Sequence, residues 1–180
     1  VFDKNGEEIF KTNLVTSRVV DVCISQDSKL LAIAEVDLSG ILIQSKIQVV
    51  SIELAQTKPK EAILYKYEAP TDKLIMNIEY QEKNKLICMY NDGIEYLQEN
   101  TSKELVKFED SQLAFTTIEL NNGIICIEEI STGEYTADTN VKIMNTETLK
   151  EERYAIKNVA KSIETSDNKL AINFGTELHI

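Results

Sequence analysis

The sequence has no tryptophan, two prolines and six glycines among its 180 residues. So few prolines and glycines leave no linker that would divide the chain into domains. Only Arg18 and Arg153 are arginine, which is few for a site that clamps phosphate or carboxylate groups with planar guanidinium forks. No apolar run approaches the roughly 18 residues that would span a bilayer as a helix.

Histidine and cysteine are also scarce. His179 is the only histidine, so any Ser-His-Asp triad or Cys-His dyad would depend on it. It lies in a strand pattern at the end of the chain, which is typical of an ordinary surface histidine. The cysteines are odd in number, and none belongs to a Cys-x-x-Cys motif; they are Cys23, Cys88 and Cys126. Each cysteine lies in an apolar strand pattern, where it is typical of a small buried side chain. We therefore predict no catalytic residue, no metal site and no cofactor.

Acidic residues outnumber basic ones. Thirty Asp and Glu against nineteen Lys and Arg give a formal charge of −11. Such a chain is repelled by phosphate backbones and by anionic lipid surfaces, so we expect no nucleic-acid partner. Its apolar content of 43% is ordinary for a folded domain. The partner class that we expect is a protein.

A polar turn followed at once by an apolar run occurs four times. The first copy is Asp27-Ser28-Lys29 followed by Leu30-Leu31-Ala32, and the apolar runs of the four copies begin at residues 30, 86, 124 and 170. No helical period separates the predicted strands. A β unit that recurs roughly every 40–50 residues predicts an all-β fold of the β-propeller type. The main alternative is a β-sandwich or an open barrel.

The repeat divides the chain into about four blades' worth of four-stranded antiparallel sheet. We predict one propeller segment over residues 1–180, as part of a larger ring. Its parts are an outer half-blade at 1–15, blades at 18–68, 73–109 and 112–158, and a partial blade at 160–180. Because the chain begins at Val1 without an initiator Met and stops at Ile180 inside a strand pattern, we expect a piece of a longer protein.

Alignment of the repeats places four residues at the same position of successive first strands. They are Asp21, Asn77, Phe115 and Lys161. First strands line the central channel of a propeller, where polar side chains are expected, and Phe115 departs from that pattern. Asp21, Asn77 and Lys161 are therefore the predicted ligand-binding residues at the channel mouth. The same alignment places Ala32, Cys88, Cys126 and Ile172 where neighbouring sheets pack.

Several local predictions can be compared directly with a structure. Asn5-Gly6 predicts a turn of a hairpin over Val1–Lys11. The run Ile41–Ile52 predicts a strand, followed by a loop at 56–61. Glu35 and Asp37 lie beside the turn after the second strand, so we expect them to be solvated.

Two sequence patterns resemble those of known families. Ser-x-Asp-x-Lys-Leu-Leu-Ala at 25–32 and Val-Lys-Ile-Met-Asn-Thr-Glu-Thr-Leu at 141–149 resemble WD40-like and quinoprotein-like propellers. More narrowly, the chain is similar to bacterial, often membrane-tethered propeller proteins of unknown function. The Trp-Asp and Gly-His signatures of true WD40 repeats are absent. The resemblance implies scaffold or recognition work, an extracytoplasmic domain, and rings of about six to eight blades. It transfers no catalytic residue.

Three functions are compatible with these observations. The favoured one is a non-enzymatic recognition module that binds a protein. The second is a propeller that senses a ligand or polysaccharide at the channel mouth. The third is part of a propeller enzyme whose catalytic residues lie outside this chain. Half a ring would also leave apolar blade faces exposed. We expect such a chain to self-associate through its exposed blade edges, to be completed by a missing segment of the longer protein, or to aggregate.

Overall fold

The computed structural model describes residues 1–12, 16–82, 85–108, 118–121, 124–132, 137–145, 148–156, 162–166, 169–173 and 178–179. Within them the chain forms fifteen strands and one short α-helix. The strands are β1 Ser17–Ile24, β2 Leu30–Asp37, β3 Gln44–Ser51, β4 Ile63–Glu68, β5 Ile75–Glu82, β6 Lys85–Tyr90, β7 Gly93–Gln98, β8 Thr101–Lys107, β9 Ile118–Asn121, β10 Ile124–Thr132, β11 Ala137–Asn145, β12 Glu151–Ile156, β13 Ser162–Ser166, β14 Lys169–Asn173 and β15 Leu178–His179.

These strands form sheets in which sequence neighbours are also spatial neighbours. The sheet orders are β1-β2-β3-β4, β5-β6-β7-β8, β12-β11-β10-β9 and β13-β14-β15. The residue-by-residue pairings within these sheets are antiparallel. The all-β prediction of four-stranded antiparallel units is confirmed. The chain divides into two compact units, Val1–Glu104 and Leu105–Ile180.

The turn before β2 shows why the motif at 25–32 favours a tight reversal. The Ser25 hydroxyl donates to an oxygen of Asp27 at 2.8 Å, and the backbone N–H of Leu30 donates to the same hydroxyl at 2.9 Å. Ser28 adopts a left-handed backbone with φ of 57°. Ser25 itself is buried, so this turn is part of the packed structure. The repeated motif is therefore a structural element.

The predicted third strand, Ile41–Ile52, was too long. β3 spans Gln44–Ser51, so residues 41–43 lie in the loop before it, and helix α1 spans Ile52–Thr57. Ser51 caps this helix by accepting a hydrogen bond from the backbone N–H of Leu54 at 3.2 Å. A 3₁₀ helix follows at Pro59–Glu61, within the predicted loop.

The N-terminal segment turns where Asn5-Gly6 predicts, but it forms no extended two-stranded ladder. A single bridge joins Phe2 and Glu8. Asp3 closes the turn, because one carboxylate oxygen accepts the backbone N–H groups of Asn5 and Glu7, each at 2.8 Å. Gly6 has a φ of 82°, a left-handed conformation that glycine adopts without steric cost.

The main core lies between the first two sheets. On the first sheet its side chains are Ala32, Ala34, Ile47 and Val49, all 0% exposed, and we call this side the packed face. On the second sheet it includes Leu86, Cys88 and Tyr90. The expected burial of small residues at Ala32 and Cys88 is confirmed. Ile172 is also buried, whereas the Cys126 side chain lies outside what the structure describes.

The second unit contains β9–β15 and has its own buried positions. Val141 and Met144 on β11 are buried. Lys142 on the same strand is also buried, and its ammonium group contacts Glu151 at 2.5 Å. The hydrogen bond from Lys142 is the main reason that the pKa of Glu151 is lowered. The charge of this buried lysine is thus compensated by a carboxylate on the neighbouring strand.

Candidate functional site

Two of the three predicted site residues meet between the first two sheets. The side-chain amide of Asn77 on β5 donates to an oxygen of Asp21 on β1 at 2.7 Å. The backbone N–H of Ile78 donates to the same oxygen at 2.9 Å. The other Asp21 oxygen accepts the backbone N–H of Val22 at 2.8 Å. Asp21 therefore ties one edge strand to the other.

Local irregularities in both strands accompany this contact. The pairing of β1 with β2 shifts between Val19 and Asp21, and the pairing of β5 with β6 shifts between Ile75 and Asn77. A bulge inserts one extra residue and redirects the side chain beside it. Because β5 is at the edge of its sheet, Ile78 has an N–H that needs a partner outside the ladder, and Asp21 supplies it.

One polar atom of this contact has no partner among the described residues. The side-chain oxygen of Asn77 is buried and accepts no hydrogen bond from the residues that the structure describes. Such an acceptor is costly to bury and could receive a ligand hydroxyl or amine. The third predicted residue, Lys161, and the aligned Phe115 lie outside the described residues. The structure thus brings together Asp21 and Asn77 only.

A second candidate is the loop between β2 and β3, which we call the apolar loop, residues 38–43. Its four large apolar side chains are all exposed: Leu38 at 55%, Ile41 at 103%, Leu42 at 63% and Ile43 at 52%. The strand interpretation of Ile41–Ile43 missed this feature. The available signal was an apolar run placed directly after Ser39-Gly40, where a hairpin loop normally carries polar residues.

Polar contacts hold the base of the apolar loop. One oxygen of Asp37 accepts the backbone N–H of Ser39 at 2.9 Å and its hydroxyl at 2.7 Å. The other oxygen accepts the ammonium group of Lys46 at 2.8 Å. The hydrogen bond from Lys46, together with those from Ser39, holds the pKa of Asp37 well below its ordinary value.

The expectation that Glu35 and Asp37 are solvated was wrong. Glu35 is 4% exposed and accepts a hydrogen bond from the amide of Gln48 at 2.7 Å. The Asp37 side chain is 16% exposed and is held by Lys46. Glu35 lies opposite Lys46 on the next strand, and among the described residues nothing donates to its second carboxylate oxygen. These residues are structural.

A further polar cluster lies at the turn after β6. The ammonium group of Lys73 contacts the buried Glu95, approaches Asp92 at 3.7 Å, and lies 5.2 Å from the ring centre of Tyr90. This single cation compensates the charge of Glu95. Among the residues for which the structure gives positions, no group of three His, Cys, Asp or Glu side chains could hold a metal ion.

The described thiols are suited to packing. Cys88 is fully buried and Cys23 packs against the same core. Burial raises the pKa of both thiols far above the ordinary cysteine value. Since the thiolate is the reactive form, neither is poised as a nucleophile.

The structure resembles solved propeller proteins over nearly its whole length. An oligogalacturonate lyase in complex with manganese aligns with a TM-score of 0.67 and 7% identity, over 95% of this chain and 55% of that one. An oligogalacturonate lyase from Vibrio parahaemolyticus aligns with a TM-score of 0.66 and 9% identity, over 92% of this chain and 49% of that one. These lyases have a seven-bladed β-propeller fold. This chain has a β-propeller fold.

The resemblance shows the fold alone, since the identities are so low. The propeller of this chain spans about half the length of the solved lyases it matches. No family model matches the sequence, and no curated protein does either. Within the described part of this propeller chain, no helix is long and apolar enough to cross a membrane.

Proposed function

We propose that this chain is a non-enzymatic recognition module of the propeller type whose partner is a protein. The observation that carries the proposal is the apolar loop. Exposed apolar side chains that follow one another in a loop are uncommon on a monomer surface, where they mark interaction sites. Functional contacts also concentrate in loops that a rigid scaffold positions, and the four-stranded first sheet is such a scaffold.

The base of the loop favours tight binding. Asp37 fixes Ser39 on one side and Lys46 on the other, and the backbone N–H of Leu38 donates to the carbonyl of Thr16 at 3.4 Å. A loop that is already ordered loses less conformational entropy when a partner binds. The base of the apolar loop is therefore fixed before a partner binds.

The surroundings of the loop favour a protein over a lipid surface. Lys46 at its base is paired with Asp37 and lies 3.8 Å from Glu68, so its charge is compensated locally. With a net charge of −11 and no tryptophan, the chain has neither the net positive charge nor the tryptophan side chains that favour attachment to anionic membranes. A partner protein with an apolar pocket fits these properties.

Site-specific photo-cross-linking tests this proposal. A photoreactive amino acid replaces Ile41 at the tip of the apolar loop, and a matched probe replaces the exposed Lys60 in the 3₁₀ helix. In extract from the source cells, we expect the position-41 probe to capture one protein that the position-60 probe does not. Leu42→Ser in the same chain should abolish that cross-link. The same set of captured proteins from both positions, or a cross-link that survives Leu42→Ser, would overturn the proposal.

A second candidate function is the binding of a carbohydrate near Asp21 and Asn77. Among the described residues nothing donates to the buried side-chain oxygen of Asn77, and this favours the function because a sugar hydroxyl could donate to that atom. The solved lyases of similar fold are named for oligogalacturonate, which makes that oligosaccharide the first probe. We expect it to raise the melting temperature of this chain and to lose that effect in Asn77→Ala. An unchanged melting temperature would count against this function.

We also propose a repeat type and a cellular location for the chain. The sequence pattern at 25–32 supports a WD40-like or quinoprotein-like repeat, and the resemblance supports an extracytoplasmic role in a membrane-tethered protein. Localisation of the tagged parent protein by cell fractionation tests this placement. A wholly cytoplasmic signal would contradict it.

A further inference from the structure

The first sheet has an open groove on the side opposite its packed face. The groove has a volume of about 770 Å³, and its floor includes Val19, Val22, Ile24, Leu31 and Ile33. Val22 pairs with Ile33, and Ile24 pairs with Leu31, so these side chains project from the same side of the sheet. We call this side the groove face.

Part of the groove face is already covered by the chain itself. Val1, Ile9 and Phe10 pack against the buried cluster that contains Leu31 and Ile33. The edge strand β1 is left open, since Val22 is 54% exposed and Ile24 is 52% exposed. The groove is therefore continuous with a contact in which an apolar segment has already docked on the same sheet.

The rim of the groove carries charges of both signs. Glu8 and Lys11 line it, both are exposed, and neither takes part in an ion pair with another described residue. They lie three residues apart on one segment. When such a segment meets its own copy across a two-fold axis, the Glu8 carboxylate of each copy can face the Lys11 ammonium group of the other. A surface of this kind is complementary to itself.

We infer that the groove face is a self-association surface and that its occupant is a second copy of this chain. Two groove faces meet about a two-fold axis, with Val22 and Ile24 of each copy in the centre and the Glu8–Lys11 pairs at the rim. An apolar centre with a polar rim is the usual organisation of a protein interface. The net charge of −11 on each copy opposes association at long range, whereas the Glu8–Lys11 pairs attract each other at short range.

Sedimentation velocity of the full chain over a wide range of concentrations tests the inference. We expect a dimer that dissociates on dilution. Val22→Lys and Ile24→Lys should each abolish it, because a charge is then buried in the apolar centre. Both positions are half exposed in the single chain, so these variants should fold, which circular dichroism checks. Ile41→Lys in the apolar loop is the matched control and should leave the dimer intact.

Charge exchange at the rim distinguishes self-association from binding of another protein. Glu8→Lys and Lys11→Glu should each weaken the dimer, because they place like charges opposite each other. An equimolar mixture of the two single variants should associate again. In the mixed dimer, the rim of the Glu8→Lys copy carries two positive charges and faces two negative charges on the Lys11→Glu copy. A partner of different sequence could not produce this recovery in purified protein.

Three results would overturn the inference. The first is that the chain stays monomeric at every concentration and its groove stays uncovered. The groove would then bind another polypeptide. The second is a dimer that Val22→Lys does not change. The third is a dimer that Ile41→Lys abolishes as well. Val22→Lys should not affect the cross-link from position 41, so the failure of this inference is separable from failure of the proposed recognition function.

Discussion

The two faces of the first sheet are built from the same strands, but they meet different surroundings. On the packed face, Ala32 and Ile47 lie in a core that the second sheet closes. On the groove face, Leu31 and Ile33 are buried beneath the N-terminal segment, whereas Val22 on the neighbouring strand remains half exposed. Apolar character alone therefore does not distinguish a closed face from an open one. The difference depends on which element lies across each strand.

The groove face also changes character along β2. Leu31 and Ile33 are apolar, while Glu35 and Asp37 continue the same side of the strand toward the apolar loop. Gln48 donates to one oxygen of Glu35, and Lys46 donates to one oxygen of Asp37. Only the apolar half of the groove face is therefore available for docking, because the carboxylates of the polar half are held by these side chains of β3.

The largest expected effect comes from removing an apolar side chain on the packed face. Ile47→Ala should lower the free energy of unfolding by about 2–5 kcal/mol, because it leaves a cavity between two sheets. Ile24→Ala on the groove face should change it by only about 0.5 kcal/mol in dilute protein, since that side chain is already half exposed. Urea denaturation measures both. Equal losses would show that the two faces are buried alike.

The alignment of repeats predicted the pairing of Asp21 with Asn77 in part. Both residues follow from one rule, because equivalent positions on neighbouring first strands lie close together in a repeated sheet. The bulges that aim them at each other were not predictable, since neither Val20 nor Met76 carries a bulge signal such as glycine. Helix α1 was also missed, because six residues have little helical preference without their tertiary contacts.

The apolar loop shows a different limit of sequence reasoning. Ile41, Leu42 and Ile43 have the composition of a buried strand, and periodicity cannot separate that from an exposed loop. The Ser39-Gly40 pair marked the turn, but the position of the turn within the hairpin depends on the register of β2 with β3. That register begins only at the Asp37–Gln44 pair, which leaves the loop outside the ladder.

The second-largest expected effect comes from removing the Asp21 side chain, which tests whether Asp21 links the edges of the two sheets. Asp21→Ala should lower the free energy of unfolding by about 1.5–3 kcal/mol, since it removes the acceptor of a buried backbone N–H at Ile78 and of the Asn77 amide. Asp21→Asn should cost less, because it keeps one acceptor oxygen. Thermal and urea unfolding measure the loss.

Asp72→Ala is the matched control for this experiment. Asp72 lies in the exposed loop before β5, and its backbone carbonyl, not its side chain, accepts the hydrogen bond from Asn91. Its replacement should leave stability nearly unchanged. If Asp21→Ala were equally silent, the contact between β1 and β5 would rest on apolar packing, and Asp21 would be free to serve a ligand.

The smallest expected effect concerns acid stability at the polar end of the groove face. The hydrogen bond from Lys46 and those from Ser39 depress the pKa of folded Asp37 below its unfolded value of about 3.9. The contact therefore contributes its full stability above about pH 4 and loses it as the pH falls through the folded pKa. Since both side chains are partly exposed, solvent screening keeps the contribution small.

Asp37→Asn tests this directly, because asparagine cannot titrate. The melting temperature of the variant should be slightly below that of the original chain at pH 7, and the two should converge as the pH falls below about 4. Glu68→Gln is the control, since Glu68 is exposed and lies farther from Lys46 at 3.8 Å. Parallel acid limbs in all three proteins would mean that the Asp37–Lys46 pair adds no net stability. The ordered base of the apolar loop would then depend on the hydrogen bonds between Asp37 and Ser39, which an asparagine oxygen can still accept.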